Sequence, residues 1–135
     1  MKYGLAEKNK LIGNRGGVSI GHRDTDNLVT GNEILQSRQV GVLFRPEHGK
    51  DFAGHRNRIE NNRIVDSGST NGVAIDVQGA TEAVVLSGNE ILETRQPADR
   101  IAVRLGAETK AIQVQSNQIT GFATAVKQLE PTPPR

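Results

Sequence analysis

Five asparagines, Asn9, Asn32, Asn62, Asn89 and Asn117, set the frame of this chain. Each is followed two residues later by a branched apolar residue: Leu11, Ile34, Ile64, Ile91 and Ile119. The last four are also preceded, three residues earlier, by Val29, Ile59, Leu86 and Val114. Successive asparagines lie 23, 30, 27 and 28 residues apart. A period in this range marks stacked units that share one continuous core, because no single unit can bury its apolar face alone. Aromatics are only 3% of the chain and glycines number 15, which suits many short strands and turns better than helices.

A second motif follows each asparagine. It reads Gly17-Val18-Ser19-Ile20, Gly41-Val42-Leu43-Phe44, Gly72-Val73-Ala74-Ile75, Arg100-Ile101-Ala102-Val103 and Thr124-Ala125-Val126-Lys127. Its apolar residues alternate with the period of a strand, and Gly, Asp, Asn and Ser punctuate the gaps. Another alternating segment precedes each asparagine, for example Asn57-Arg58-Ile59 and Val84-Val85-Leu86. The leucine-rich repeat also carries an asparagine in this setting. Leucine does not dominate here, however, and a strand follows where that fold would place a helix or an extended turn. The fold class expected is all-β: a parallel β-helix of four to five coils spanning 9–129, after a lead-in of 1–8 and before a proline-rich, disordered tail of 130–135. Coils of parallel strands lie about 4.8 Å apart. An inward asparagine in each coil can therefore donate to the amide oxygen of the next, satisfying groups that would cost roughly 1–3 kcal/mol if buried unpaired.

The stretches Gly17-Val18-Ser19-Ile20-Gly21-His22-Arg23-Asp24-Thr25-Asp26-Asn27 and Gly54-His55-Arg56-Asn57-Arg58-Ile59-Glu60-Asn61-Asn62-Arg63-Ile64 resemble coils of the right-handed parallel β-helix superfamily. That group holds pectate-lyase-like proteins, alginate lyases and alginate epimerases. The resemblance covers roughly residues 9–129 and rests on scaffold motifs. It implies right-handed winding, acidic polysaccharide as the partner, and a secreted or periplasmic location for a full-length protein. Members of the superfamily usually have more coils and an N-terminal cap. With Asn9 so near the start, the chain is expected to be the C-terminal part of a larger protein or a homo-oligomer joined through exposed solenoid ends.

Stacking the second motif aligns Gly21, Arg45, Asp76 and Arg104 on one outer column, with Ser19, Leu43, Ala74 and Ala102 beside it. His22 and Arg23 adjoin the first coil, and the longest insertion, 46–55, brings His48 and His55. Two arginines flanking an aspartate suit a uronate sugar, since arginine binds a carboxylate bidentately. The catalytic candidates are therefore His22 and Asp76, as proton-transfer groups, and the substrate-binding candidates are Arg23, Arg45 and Arg104. The bland reading treats the column as cross-strand pairing on a solvated face, and His22 as a turn residue. Family motifs depart from this chain: where epimerases and lyases carry Asp-Pro-His, it reads Arg45-Pro46-Glu47-His48. Nor does it have the converging aspartates of a galacturonase.

Composition narrows the classes further. With no cysteine, a disulfide framework and a thiol nucleophile are excluded. A net charge of +2, spread along the chain, does not predict a nucleic-acid surface. No apolar run is long enough to span a bilayer, and the first ten residues lack the apolar core of a signal peptide. Neither a metal nor a cofactor is expected. The function expected is a non-catalytic scaffold or carbohydrate-associated module. Alternatives are a small polysaccharide lyase or epimerase and a purely structural oligomerisation unit.

Overall fold

The computed structural model describes residues 1–47, 49–68, 72–95 and 99–130. Among the described residues, fifteen strands wind into five coils of three. The coils are β1 (Leu5–Glu7), β2 (Lys10–Ile12) and β3 (Gly16–Ile20); β4 (Leu28–Thr30), β5 (Glu33–Leu35) and β6 (Val40–Phe44); β7 (Arg58–Glu60), β8 (Arg63–Val65) and β9 (Val73–Val77); β10 (Val85–Ser87), β11 (Glu90–Leu92) and β12 (Ile101–Leu105); and β13 (Gln113–Gln115), β14 (Gln118–Thr120) and β15 (Thr124–Gln128). Each strand pairs in parallel with its equivalents one coil away, which gives three five-stranded sheets. The molecule is a parallel β-helix, and β1 lies inside the stretch expected as a lead-in. Of the tail, 131–135 lies outside the described residues.

The asparagines occupy the corner between the first and second sheets. The residue before each (Lys8, Gly31, Asn61, Gly88 and Ser116) has a positive φ of 56° to 66°, so the chain turns sharply within two residues. Each asparagine then donates its backbone N–H and its Nδ2 to the Oδ1 of the next coil's asparagine. These bonds measure 2.9–3.1 Å from Asn9 through Asn32, Asn62 and Asn89 to Asn117. The other Nδ2 proton of Asn32, Asn62, Asn89 and Asn117 reaches a strand carbonyl of the preceding coil, at 2.9–3.0 Å. Both partners of every rung are thus supplied by geometry that repeats with the coil.

A second, shorter ladder lies five residues earlier in the coil. Asn27 accepts from the Gly4 N–H at 2.7 Å, and Asn57 accepts from the Asn27 N–H at 2.9 Å. In the next coil Val84 takes that place and is fully buried, so the polar column changes to an apolar one.

Between the ladders, inward residues of equivalent strands form apolar columns: Val29, Ile59 and Leu86; Ile34, Ile64 and Ile91; Val42, Ile75 and Val103; Phe44, Val77 and Leu105. Next to the third of these runs a column of small residues, Gly17, Gly41, Ala74, Ala102 and Ala125. A Cβ on Gly41 would lie 2.7 Å from the Ala74 carbonyl oxygen and 2.8 Å from the Ile64 methyl. A side chain at Gly41 would therefore force its neighbours to shift.

Uneven spacing of the asparagines arises at the other two corners. The link from the second sheet to the third has 3, 4, 7, 8 and 3 residues in successive coils. The link from the third sheet to the next coil has 7, 13, 7 and 7. The first corner never changes.

Candidate functional site

The expected outer column is corrected by the register of the third sheet. Ser19 pairs with Leu43, Leu43 with Asp76, Asp76 with Arg104, and Arg104 with Lys127. Arg45, one residue beyond the Phe44–Val77 pair, therefore stands level with Gln78, not with Asp76. The expected alignment slipped by two residues in the third and fourth coils, where the longer link comes before the strand. A slip of two preserves the inward–outward alternation, so periodicity alone cannot detect it. Gly72-Val73 imitates the motif in the third coil, whereas the true counterpart of Gly41-Val42 is Ala74-Ile75.

Asp76 and Arg104 do meet. The Arg104 Nε donates to Oδ1 at 3.1 Å and an Nη to Oδ2 at 2.6 Å. The Gln78 amide donates to the same Oδ2 at 2.5 Å. Asp76 is 1% exposed, and its carboxylate raises the Arg104 guanidinium above the ordinary arginine value. Arg45 is engaged elsewhere, donating to Ser19 Oγ at 2.7 Å and to Glu47 Oε1 at 3.1 Å. Beside Arg104 opens a groove of about 570 Å³, lined by Pro46, Glu47, Gln78, Arg104, Glu108 and Leu129.

His22 and Arg23 sit at the third corner of the first coil, with φ of 49° and 69°. Their partner is Phe52, from the insertion of the second coil. The His22 ring stacks on it at 6.2 Å between centroids and 18° between planes. The Arg23 guanidinium lies 4.6 Å from the ring centroid, and the Arg23 N–H donates to the Phe52 carbonyl at 2.9 Å. His22 is thus packed on an aromatic ring, a role distinct from the proton transfer expected of it. Of the five predicted residues, Asp76 and Arg104 pair directly, Arg45 contacts Ser19 and Glu47, and His22 and Arg23 share Phe52.

The insertion is also anchored on its other side. His55 Nδ1 accepts from the Glu82 N–H at 3.0 Å, which places the ring proton on Nε2, donating to the Lys50 carbonyl. Phe52 reaches back to the first coil and His55 forward to the third, so the insertion straps three coils together. His48 lies outside the described residues.

A charged cluster that the sequence reading missed occupies the second corner of the third and fourth coils. The Glu93 side chain is 0% exposed and pairs with Arg95 and Arg100, each at 2.8 Å. Burial pushes the Glu93 carboxyl above its ordinary value; the Arg95 and Arg100 guanidinium groups oppose this without cancelling it. At the same position one coil earlier is Asp66. Burial pushes its carboxyl up as well, but hydrogen bonds of 2.7 Å from the Thr94 backbone and hydroxyl leave it below the usual range. Asp66 and Glu93 each stand two residues after a buried isoleucine, Ile64 and Ile91. Carboxylates at inward positions were the signal that could have revealed this cluster.

No family model, curated protein or solved structure matches this chain.

Proposed function

We propose that the chain serves as a non-catalytic β-helix scaffold, kin to the pectate-lyase-like solenoids and part of a larger polysaccharide-active protein. The observation that carries this reading is the closed pairing of Asp76 with Arg104. A general acid or base must reach the proton it moves, and the Asp76 oxygens are buried under Arg104 and Gln78. A uronate site would need Arg45 and Arg104 open to a foreign carboxylate, and both already hold a carboxylate of this chain. The test is incubation with alginate and with pectin, following unsaturated uronate absorbance and the proton NMR spectrum of the recovered polymer. No product is expected. A product that the native protein forms and Asp76→Asn does not would overturn the reading.

The groove beside Arg104 supports a carbohydrate-associated form of the same scaffold. Oligosaccharides that shift the amide resonances of Gln78, Arg104 and Glu108 would favour it, and unchanged resonances would remove it.

A second reading, self-association through the solenoid ends, is supported by the direction of the ladder. Every rung donates toward the higher-numbered coil. Asn117 would continue it onto an amide oxygen such as the one Asn9 offers, giving head-to-tail stacking. Leu5 and Ile12 in the first coil, and Val126 in the last, are exposed strand residues able to cover one another. Light scattering after size exclusion should show a mass that rises with concentration. A strictly monomeric protein at high concentration would exclude the idea.

A further inference from the structure

The strap formed by the insertion closes one side of a cleft of about 440 Å³, whose lining includes Lys2, Arg23, Lys50, Asp51, His55 and Arg56. The charges there are not balanced. Arg56 is taken by Asp26, with Nε and Nη2 at 2.8 and 3.1 Å from its two oxygens. Both ring nitrogens of His55 are taken, Nδ1 by the Glu82 N–H and Nε2 by the Lys50 carbonyl. Among the described residues, Lys2, Arg23 and Lys50 have no carboxylate within ion-pair distance. Of the lining residues, Asp51 alone opposes them, so the uncommitted charge of the lining is +2.

These cations are placed by the fold. Lys2 is held by its parallel bridge to Thr25. The Arg23 guanidinium is held over the Phe52 ring, 4.6 Å from its centroid, by a cation–π contact. Lys50 begins the short 3-10 turn Lys50–Phe52, whose carbonyls bind His55 and Arg23. Three cations on separate segments around one cleft attract an anion more strongly than the same charges spread over an open surface.

We propose that this cleft binds a single tetrahedral dianion: free phosphate, free sulfate, or the phosphate monoester group of a larger ligand. Charge and shape both favour it. A dianion neutralises the excess that a monocarboxylate would leave half unmatched, and its oxygens can accept from an arginine edge and two ammonium groups together. A polynucleotide needs a track of cations along successive phosphates, and here the cations line one cleft.

The experiment is an amide NMR titration of the whole chain at low, matched ionic strength, with inorganic phosphate, inorganic sulfate, acetate and a phosphate monoester. Phosphate and sulfate should shift Arg23, Lys50, Asp51 and Arg56 saturably, and acetate should do so at least tenfold more weakly. Lys50→Met, on an exposed side chain, should weaken the dianions about tenfold, the loss of one charge-assisted hydrogen bond. A phosphate monoester that binds as tightly as inorganic phosphate assigns an ester ligand; its exclusion assigns the free ion. Equal binding of acetate, shifts unchanged in Lys50→Met, or no saturation would overturn the proposal. So would an oligonucleotide that binds more tightly than phosphate and shifts residues along several coils.

Discussion

The corner that carries the asparagines and the corner that carries the insertion turn the same chain through comparable changes of direction by opposite means. At the first, two residues suffice in every coil, and the side chain supplies both donor and acceptor to its own copies above and below. At the other, links of seven and thirteen residues are held by unlike partners: an aromatic ring, a hydrogen-bonded histidine and ion pairs. At the first corner each rung is the partner of the next, and its two-residue length does not vary from coil to coil. Links held by unlike groups can change length from coil to coil, and they leave charge over for something else.

That contrast predicts an ordered set of effects. Asn62→Ala should be the most damaging, because it strips the acceptor from two Asn32 donors and the donor from the Val29 carbonyl in a buried place. A loss of about 3–5 kcal/mol in urea denaturation is expected, against about 0.5 kcal/mol or less for the exposed Asn9→Ala. Equal losses at the two positions would break the account of the ladder. Next comes Arg104→Ala, which leaves the Asp76 carboxylate buried without its cation; it should cost about 2–4 kcal/mol. Asp76→Asn should cost less, since Arg104 is a third exposed and can turn to water.

Phe52→Ala tests the strap. It should lower stability by only about 1–2 kcal/mol, the ring being half-buried, yet open Lys50 and Arg56 to limited trypsin digestion. A variant as resistant as the native protein would show that His55 alone holds the insertion. The smallest effect is a slope. Burial raises Glu93 above its ordinary value of 4.5, so its stabilising contribution is complete below that pH and is lost as pH rises through the raised value. The stability advantage of the native protein over Glu93→Gln should therefore shrink as pH increases from about 4.5. A difference that grows with pH would reverse the assignment.

Much of the fold was legible in the sequence because its signals are local and repeated. Asn32, Asn62 and Asn89 each sit two residues before a buried isoleucine, and that pattern carries through to the pairing of Ile34 with Ile64 and Ile64 with Ile91. The left-handed residue ahead of each asparagine was also written there, as Gly31, Asn61 and Gly88, residue types that accept a positive φ. The candidate site was far less legible. Arg104 and Asp76 were recognised as neighbours because both follow the strand pattern. Arg45 was placed with them only because the longer links of the third and fourth coils were assigned to the wrong side of the strand. Phe52 carried no signal at all. Its partners His22 and Arg23 lie about thirty residues away and are brought to it by the winding.

What the sequence determined by itself is the repeat: the asparagine column, the apolar columns beside it, and so a stack of parallel coils. These follow from near-neighbour spacing, since a residue and its copy one turn later must meet if the units stack at all. Tertiary structure alone decided the rest: which outer residues share a row, that Asp76 is closed off by Arg104, that Asp66 and Glu93 occupy equivalent places, and that three cations face one cleft. Those outcomes depend on link lengths and on unlike side chains meeting across coils. A period of two repeats too often along a strand to choose among the registers that satisfy it.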